Sequence, residues 1–305
     1  MMKIGQLKVS KKARFNIVKP ENIPPQSPNV SPFFVELVIA ARGMGKTHSI
    51  CQMLQHISHN DFYNRWISIS PSYYSDIKQE STFEDIEKRG GFLELYSECN
   101  EEILNQIQED SKYYIEQWED YQKKRELWEK LKKKGIRKMT DDELAFLFEF
   151  IIDDEDLDRI DEDMIFGQYP DWIKRDKPPM TMIFLDDCYS SSLMSKTRNN
   201  PLINLICNGR HQLTSLIIAT QSLASIPRAV RSNTSIWLLF PTKAKKDLDY
   251  LFAETANAFP SEQAFHQVMN DVSKEDHGFL YVDASSLKEP FVSITYDKPV
   301  LFDNK

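Results

Sequence analysis

The run Phe33-Phe34-Val35-Glu36-Leu37-Val38-Ile39-Ala40-Ala41-Arg42-Gly43-Met44-Gly45-Lys46-Thr47 constrains this chain more than any other stretch. A mostly apolar segment gives way abruptly to two glycines, a lysine and a threonine, which reads as a buried strand feeding a tight loop and then a helix. Glycines let the backbone turn its N–H groups towards an anion, and the helix starting near Lys46 adds its positive dipole end. Lys46 is placed to reach the β- and γ-phosphates of a nucleotide, and Thr47 to hold Mg²⁺ through its hydroxyl. The expected phosphate cradle is Ala41, Arg42, Gly43, Met44, Gly45, Lys46, Thr47 and His48. The pattern G-x-x-x-x-G-K-[ST] has glycine where this chain has Ala40, which alanine can replace only if that position keeps a negative φ.

A second landmark is Met180-Thr181-Met182-Ile183-Phe184-Leu185-Asp186-Asp187, an apolar run ending in two carboxylates. A buried strand that delivers acids at its carboxyl end suits a Mg²⁺-nucleotide site, with Asp186 supporting the metal and Asp187 orienting or deprotonating the attacking water. The pairing with the lysine loop makes an NTPase the leading expectation. Further on, a strand over Thr214 to Thr220 ends in Gln221. In a parallel sheet that amide lies beside the acidic strand, over the γ-phosphate, where it can orient water or sense hydrolysis. Arg210, Arg228 and Arg231 are expected beside the sheet edge that carries this chemistry. An arginine entering a neighbouring subunit's site neutralises charge in the transition state, typically worth about 10³ to 10⁵ in rate.

Between the landmarks the texture changes. Residues 76–165 carry 14 basic and 28 acidic groups, so the acidity responsible for the chain's net charge of −8 sits in one segment. The remainder is net positive and leaves a polyanion-facing surface open. Ile107, Tyr114, Tyr121 and Trp128 recur every seven residues, with Trp118 on the same stripe, which predicts one long amphipathic helix. Gly135 interrupts it. Thr140 and Glu143 form a capping box that opens a second helix with Leu144, Leu147, Phe148 and Ile151 on its apolar face. The expectation is a charged helical hairpin inserted at about residues 76–165 in a P-loop domain spanning 32–305.

Residues 1–31 combine six basic side chains with Pro20, Pro24, Pro25 and Pro28, and read as an extended arm. No apolar run approaches the ~20 residues of a membrane helix, and the N-terminus lacks the apolar segment of a signal peptide, so no membrane-spanning segment and an intracellular location are expected. Cys51, Cys99, Cys188 and Cys207 lie far apart in sequence and read as reduced, mostly packed thiols. His48, His56 and His59 lack a carboxylate or cysteine at ligand spacing.

Taken in order, Arg-Gly-Met-Gly-Lys-Thr, Ile-Phe-Leu-Asp-Asp, Gly-Arg-His, Ile-Ala-Thr-Gln-Ser and Pro-Arg-Ala-Val-Arg-Ser-Asn resemble the genome-packaging ATPases of poxviruses, giant viruses and virophages, within the FtsK–HerA superfamily. The resemblance covers roughly Pro32 to Phe240, interrupted by the charged hairpin. It implies an α/β fold, a RecA-like (ASCE) P-loop core with a mainly parallel central sheet, and a homo-oligomeric ring, pentamer or hexamer, that drives double-stranded DNA into a capsid with ATP and Mg²⁺. Capsid proteins follow as partners, and the host-cell cytoplasm, a viral factory or the virion as the place of action. Carried over by position, Lys46 and Thr47 bind phosphate and Mg²⁺, Asp186 supports the metal, Asp187 is the catalytic base and Gln221 the sensor. Arg210 and then Arg231 are the candidates for the trans-acting arginine. A cellular HerA-like or replication-associated translocase would share this site, and a nucleotide-binding scaffold would keep it without motor activity.

Overall fold

A computed structural model of the 305-residue chain describes residues 32–59, 62–148, 161–188, 200–242, 244–285 and 290–302. The arm at 1–31, Ile151 and most of the acidic run 153–163 lie outside the described residues. From the amino end the elements are β1 (Val35–Ile39), α1 (Lys46–Ser58), β2 (Arg65–Ile69), a 3-10 turn (Tyr73–Ser75), α2 (Ile77–Lys88), β3 (Phe92–Tyr96), α3 (Glu101–Lys134), α4 (Asp141–Phe148), α5 (Glu162–Phe166) and β4 (Thr181–Asp186). They continue with α6 (Pro201–Asn208), β5 (Thr214–Thr220), α7 (Arg228–Ser232), β6 (Ile236–Leu239), α8 (Lys245–Thr255), α9 (Glu262–Val272), β7 (Leu280–Asp283), β8 (Phe291–Ile294) and β9 (Lys298–Pro299).

The strands form one sheet in the order β3-β2-β4-β5-β1-β6-β7-β8-β9. From β3 to β6 all pairs are parallel, and β6 to β9 pair antiparallel. A parallel sheet has helices on both faces, so its strands read as continuous apolar runs. In β1, Leu37 and Ile39 face a layer that includes Leu104, Leu205 and Phe265, while Val38 faces the opposite layer with Ile50, Leu54 and Phe83. Each such aliphatic side chain taken from water contributes about 1.5–3 kcal/mol. Because β1, β4 and β5 are adjacent and parallel, the loop after β1, the acids at the end of β4 and the glutamine after β5 emerge along one edge.

The long helix expected from the heptad stripe is α3, 34 residues and roughly 50 Å long. Asn100 caps it by accepting from Ile103 N at 2.9 Å, and Gly135, at φ +74°, ends it. Leu104 and Ile107 pack on the sheet, whereas Leu127, Trp128 and Leu131 join Leu147, Phe148 and Ile165 in a small separate core. The capping box forms as read: Glu143 N donates to Thr140 Oγ1 at 3.2 Å, and Thr140 N donates to Glu143 Oε2 at 2.9 Å.

The charged stretch is not hairpin throughout. Its first part supplies α2, capped by Asp76, and the edge strand β3. β3 is hard to read because Phe-Leu-Glu-Leu-Tyr carries a carboxylate into a packed layer. Glu94 is tolerated there by Arg65 of β2, fully buried, whose Nε lies 2.5 Å from Glu94 Oε1 and whose Nη1 donates to Ser111 of α3 at 2.9 Å. The ion pair joins the edge strand to its neighbour and to the helix that covers it.

Candidate active site

The strand-to-loop junction explains the alanine. Ala40 N donates to Thr220 O at 3.1 Å, so Ala40 still runs beside β5 and is buried. The left-handed positions of the loop are Gly43 (φ +81°) and Gly45 (φ +93°), both glycine, and Ala40 is not among the positive-φ residues. Gly45 is constrained twice, because a Cβ there would lie 2.8 Å from Nδ1 of His277. α1 begins at the next residue with its first-turn N–H groups directed out of the sheet edge.

Lys46 Nζ is 2.7 Å from Asp186 Oδ1 and 2.8 Å from Asp187 Oδ1. Gln221 Nε2 donates to Asp187 Oδ1 at 3.3 Å. Thus the lysine, both acids and the glutamine, separated by up to 175 residues in sequence, meet at one point. Asp187 sits at φ +50°, a left-handed conformation that aspartate accepts more readily than most residues, and this turns its carboxylate out of the strand. Burial pushes the Asp186 carboxyl above its usual range, and Lys46 only partly offsets it. Burial also works against the Lys46 ammonium, but the charge of Asp186 and hydrogen bonds to both acids raise its pKa overall. The pair therefore keeps an ammonium in a partly dehydrated pocket.

One contributor carries no sequence signal. Gln79 of α2 is fully buried and donates from Nε2 to Asp186 Oδ2 at 2.7 Å, so both oxygens of Asp186 are held, one by Lys46 and one by an amide. A glutamine in a charged helix looks like a solvated residue, and only the packing of α2 against α1 brings it to the acid.

Lys46, Asp186, Asp187 and Gln221 line a cavity of about 650 Å³ together with Thr47, His48, Ile77 and His277, and with the cations Arg42 and Lys78. Thr47, Asp186 and Asp187 present hard oxygen donors to it, a set that fits Mg²⁺. The softer Cys188 Sγ lies buried behind the acids against Ile69 O, at 3.6 Å. Burial, then the charges of Lys78 and His277, lower the pKa of His48. If Gln79 orients Asp186 for a cation, Gln79→Met should raise the Mg²⁺ concentration for half-maximal nucleotide hydrolysis by about 10- to 100-fold, the usual cost of losing a residue that supports a metal ligand. Nucleotide binding in EDTA should stay unchanged, and a Mg²⁺ titration identical to that of the parent protein would refute the role.

The arginines are placed differently from the sequence expectation. Arg210 lies between α6 and β5 and lines a second cavity with Thr214 and Ser235, at the amino ends of β5 and β6. This is the opposite edge of the sheet from Lys46. A segment that leads into a parallel strand must lie at the strand's amino end, whereas the loop carrying Lys46 follows its strand. Arg231 pairs with Glu254 of α8 at 3.1 Å, and Arg228 is exposed at the start of α7. None of the three lines the cavity around Lys46 of its own chain.

No family model matches the sequence. Over 108 residues, 35% of the chain, it is 27% identical to the uncharacterized protein 075L of Invertebrate iridescent virus 6, and the match spans 41% of that relative's length. Among solved structures it resembles the genome packaging NTPase B204 of Sulfolobus turreted icosahedral virus 2 in complex with AMPPCP, with TM-score 0.50 and 13% identity over 89% of this chain and 100% of that one. It also resembles EssC (ATPases 2 and 3) of Geobacillus thermodenitrificans, with TM-score 0.45 and 10% identity over 90% of this chain and 41% of that one. The B204 likeness bears on the fold alone, a mixed α/β domain built on a central, mostly parallel sheet. Among the described residues no helix is long and apolar enough to cross a membrane.

Proposed function

We propose that this protein is an ATP-driven motor that moves double-stranded viral DNA into a capsid. The observation that carries the proposal is the convergence of Lys46, Asp186, Asp187 and Gln221 on one cavity. In the reaction, the backbone of the Ala41 to His48 loop binds the phosphates and Lys46 moves from the two carboxylates to the β- and γ-oxygens. Thr47 and Asp186 would hold Mg²⁺, which would supply charge neutralisation at the phosphates. Asp187 takes a proton from the attacking water as its oxygen bonds to the γ-phosphorus and the bond to the bridging oxygen of ADP breaks. Gln221, already on Asp187, orients that water and relays the loss of the γ-phosphate to β5.

Lys46 is the cation of this chain that contacts both acids among the described residues, and Arg210 stands at the opposite edge of the sheet. A head-to-tail ring of identical subunits, pentamer or hexamer, brings one subunit's arginine to the next subunit's site and encloses a channel for duplex DNA. Capsid proteins are the further partners, in the host-cell cytoplasm or a viral factory. The genome-packaging role of B204 and the viral source of the 075L relative support this choice among translocases.

ATP turnover with and without double-stranded DNA is the test. Hydrolysis should require Mg²⁺ and rise with DNA regardless of its sequence, and DNA binding should weaken steeply with salt. Lys46→Ala and Arg210→Ala subunits, each inactive alone, should partly recover activity when mixed, because some interfaces then join an intact lysine to an intact arginine. Arg231→Ala is the fallback partner. A nucleotide-binding protein with no turnover at any DNA concentration would defeat the motor reading, and mixed rings without recovery for either arginine would defeat the shared site.

A further inference from the structure

We propose that the heteroaromatic base of the bound nucleotide sits in a slot between Ile77 on one side and the imidazole rings of His48 and His277 on the other. The proposal rests on the nucleotide reading of the site and assigns the end of the cavity that phosphate chemistry does not use. Lys46, Asp187 and Gln221 mark the reacting end, and the proposal follows the same cavity from there to the start of α1. There the cavity is walled by His48, Ile77, Lys78 and His277.

Three features of that wall are otherwise unexplained. Ile77 is the first residue of α2 and 80% exposed, although Asp76 beside it already caps the helix by accepting from Lys78 N at 3.0 Å and Gln79 N at 3.2 Å. A β-branched aliphatic side chain left in water at the mouth of a polar cavity is a ready surface for a flat apolar face. His277 is exposed and held at φ +53°, where non-glycine residues are uncommon, with its ring against Gly45. His48 follows Thr47 in α1, and its ring centroid is 6.1 Å from that of His277, with the planes at 61°. Lys78 Nζ donates to His48 Nδ1 at 3.3 Å and steadies the ring.

The two imidazoles arise from opposite ends of the chain, one on the helix that follows the phosphate loop and one in the turn before β7. Such π-faces and an aliphatic partner bind purine or pyrimidine rings by stacking, without a choice of base edge. The slot also gives His277 a reason to adopt its left-handed turn, since that turn brings its ring to Gly45 in the loop before α1.

The experiment compares two probes on the full chain by calorimetry in Mg²⁺, ATP and inorganic tripolyphosphate, for Ile77→Ser and His277→Gly. Glycine accepts a φ of +53°, and Ile77 is a surface residue, so Ile77→Ser keeps the test valid should the other variant fail to fold. The expected result is a rise of about 5- to 100-fold in the ATP dissociation constant, with tripolyphosphate binding unchanged. Equal weakening of both ligands would overturn the proposal, because the rings would then be supporting the loop and not a base. Unchanged ATP affinity in both variants would overturn it too, while tripolyphosphate binding left the phosphate site standing. A parent protein that binds neither probe would remove the nucleotide reading and this slot with it.

Discussion

Lys46→Ala is expected to lower Mg²⁺-dependent ATP hydrolysis by at least about 10²–10³-fold, the typical cost of removing one preorganised charge partner from a reacting group. The structure gives a reason for the effect to lie at the upper end. Lys46 is the cation that contacts both acids among the described residues, at 2.7 and 2.8 Å. Without it Asp186, 2% exposed, loses its counter-ion in a site where burial already raises its pKa. The carboxyl then favours its neutral form, a poorer support for Mg²⁺, so phosphate and metal binding should fail together. Asp187→Asn should behave differently. Its amide keeps a hydrogen-bonding group for Gln221 but accepts no proton, so ATP binding should persist while turnover is lost. Steady-state rates together with direct binding of a non-hydrolysable ATP analogue separate the two variants. Retained turnover in Asp187→Asn would show that another group takes the proton.

Glu36→Gln is expected to make the protein several kcal/mol more stable than the parent at pH 8 and to leave it about equal near pH 5. Glu36 lies in the central strand β1, fully buried, and among the described residues neither its carboxylate oxygens nor the hydroxyl of Tyr281, also in the core, has a hydrogen-bond partner. Burial pushes its pKa up to about 8. Below the ordinary carboxylate pKa the folded and unfolded chains both hold the proton, and the group costs nothing extra. As pH rises the unfolded chain ionises first, so unfolding releases a proton and stability falls until the folded carboxyl ionises near pH 8. At about 1.4 kcal/mol per unit, the loss between pH 5 and pH 8 is on the order of 4 kcal/mol. Urea denaturation of both proteins across that range checks it: the parent midpoint should fall with pH, and the variant's should not fall by the same amount. Parallel curves would place the ionisation of Glu36 outside this range.

The motifs alone determined that a lysine loop and an acidic strand end would each form. A lysine loop following an apolar run, and a second apolar run ending in two acids, specify their own local structure, because strand burial, glycine φ and the helix start are all set by neighbours in sequence. The elements follow the same logic: β5 and α6 begin and end where their apolar runs do, and the capping box at Thr140 opens α4. What sequence did not carry was everything fixed by approach between distant segments. Gln79 became a partner of Asp186 only because α2 folds back over α1. β3 is a strand despite Glu94 because Arg65, on another strand, neutralises it. Arg210 stands at the far edge because chain direction through a parallel sheet, and not proximity to a motif, decides which edge a loop occupies. His277, some 230 residues from His48, reaches the phosphate loop because β7 runs antiparallel and so begins at the edge where β1 ends. A residue's type and its local period can be read along the chain. The partner that gives a buried polar group its role depends on which strands lie side by side, and that order belongs to the tertiary structure.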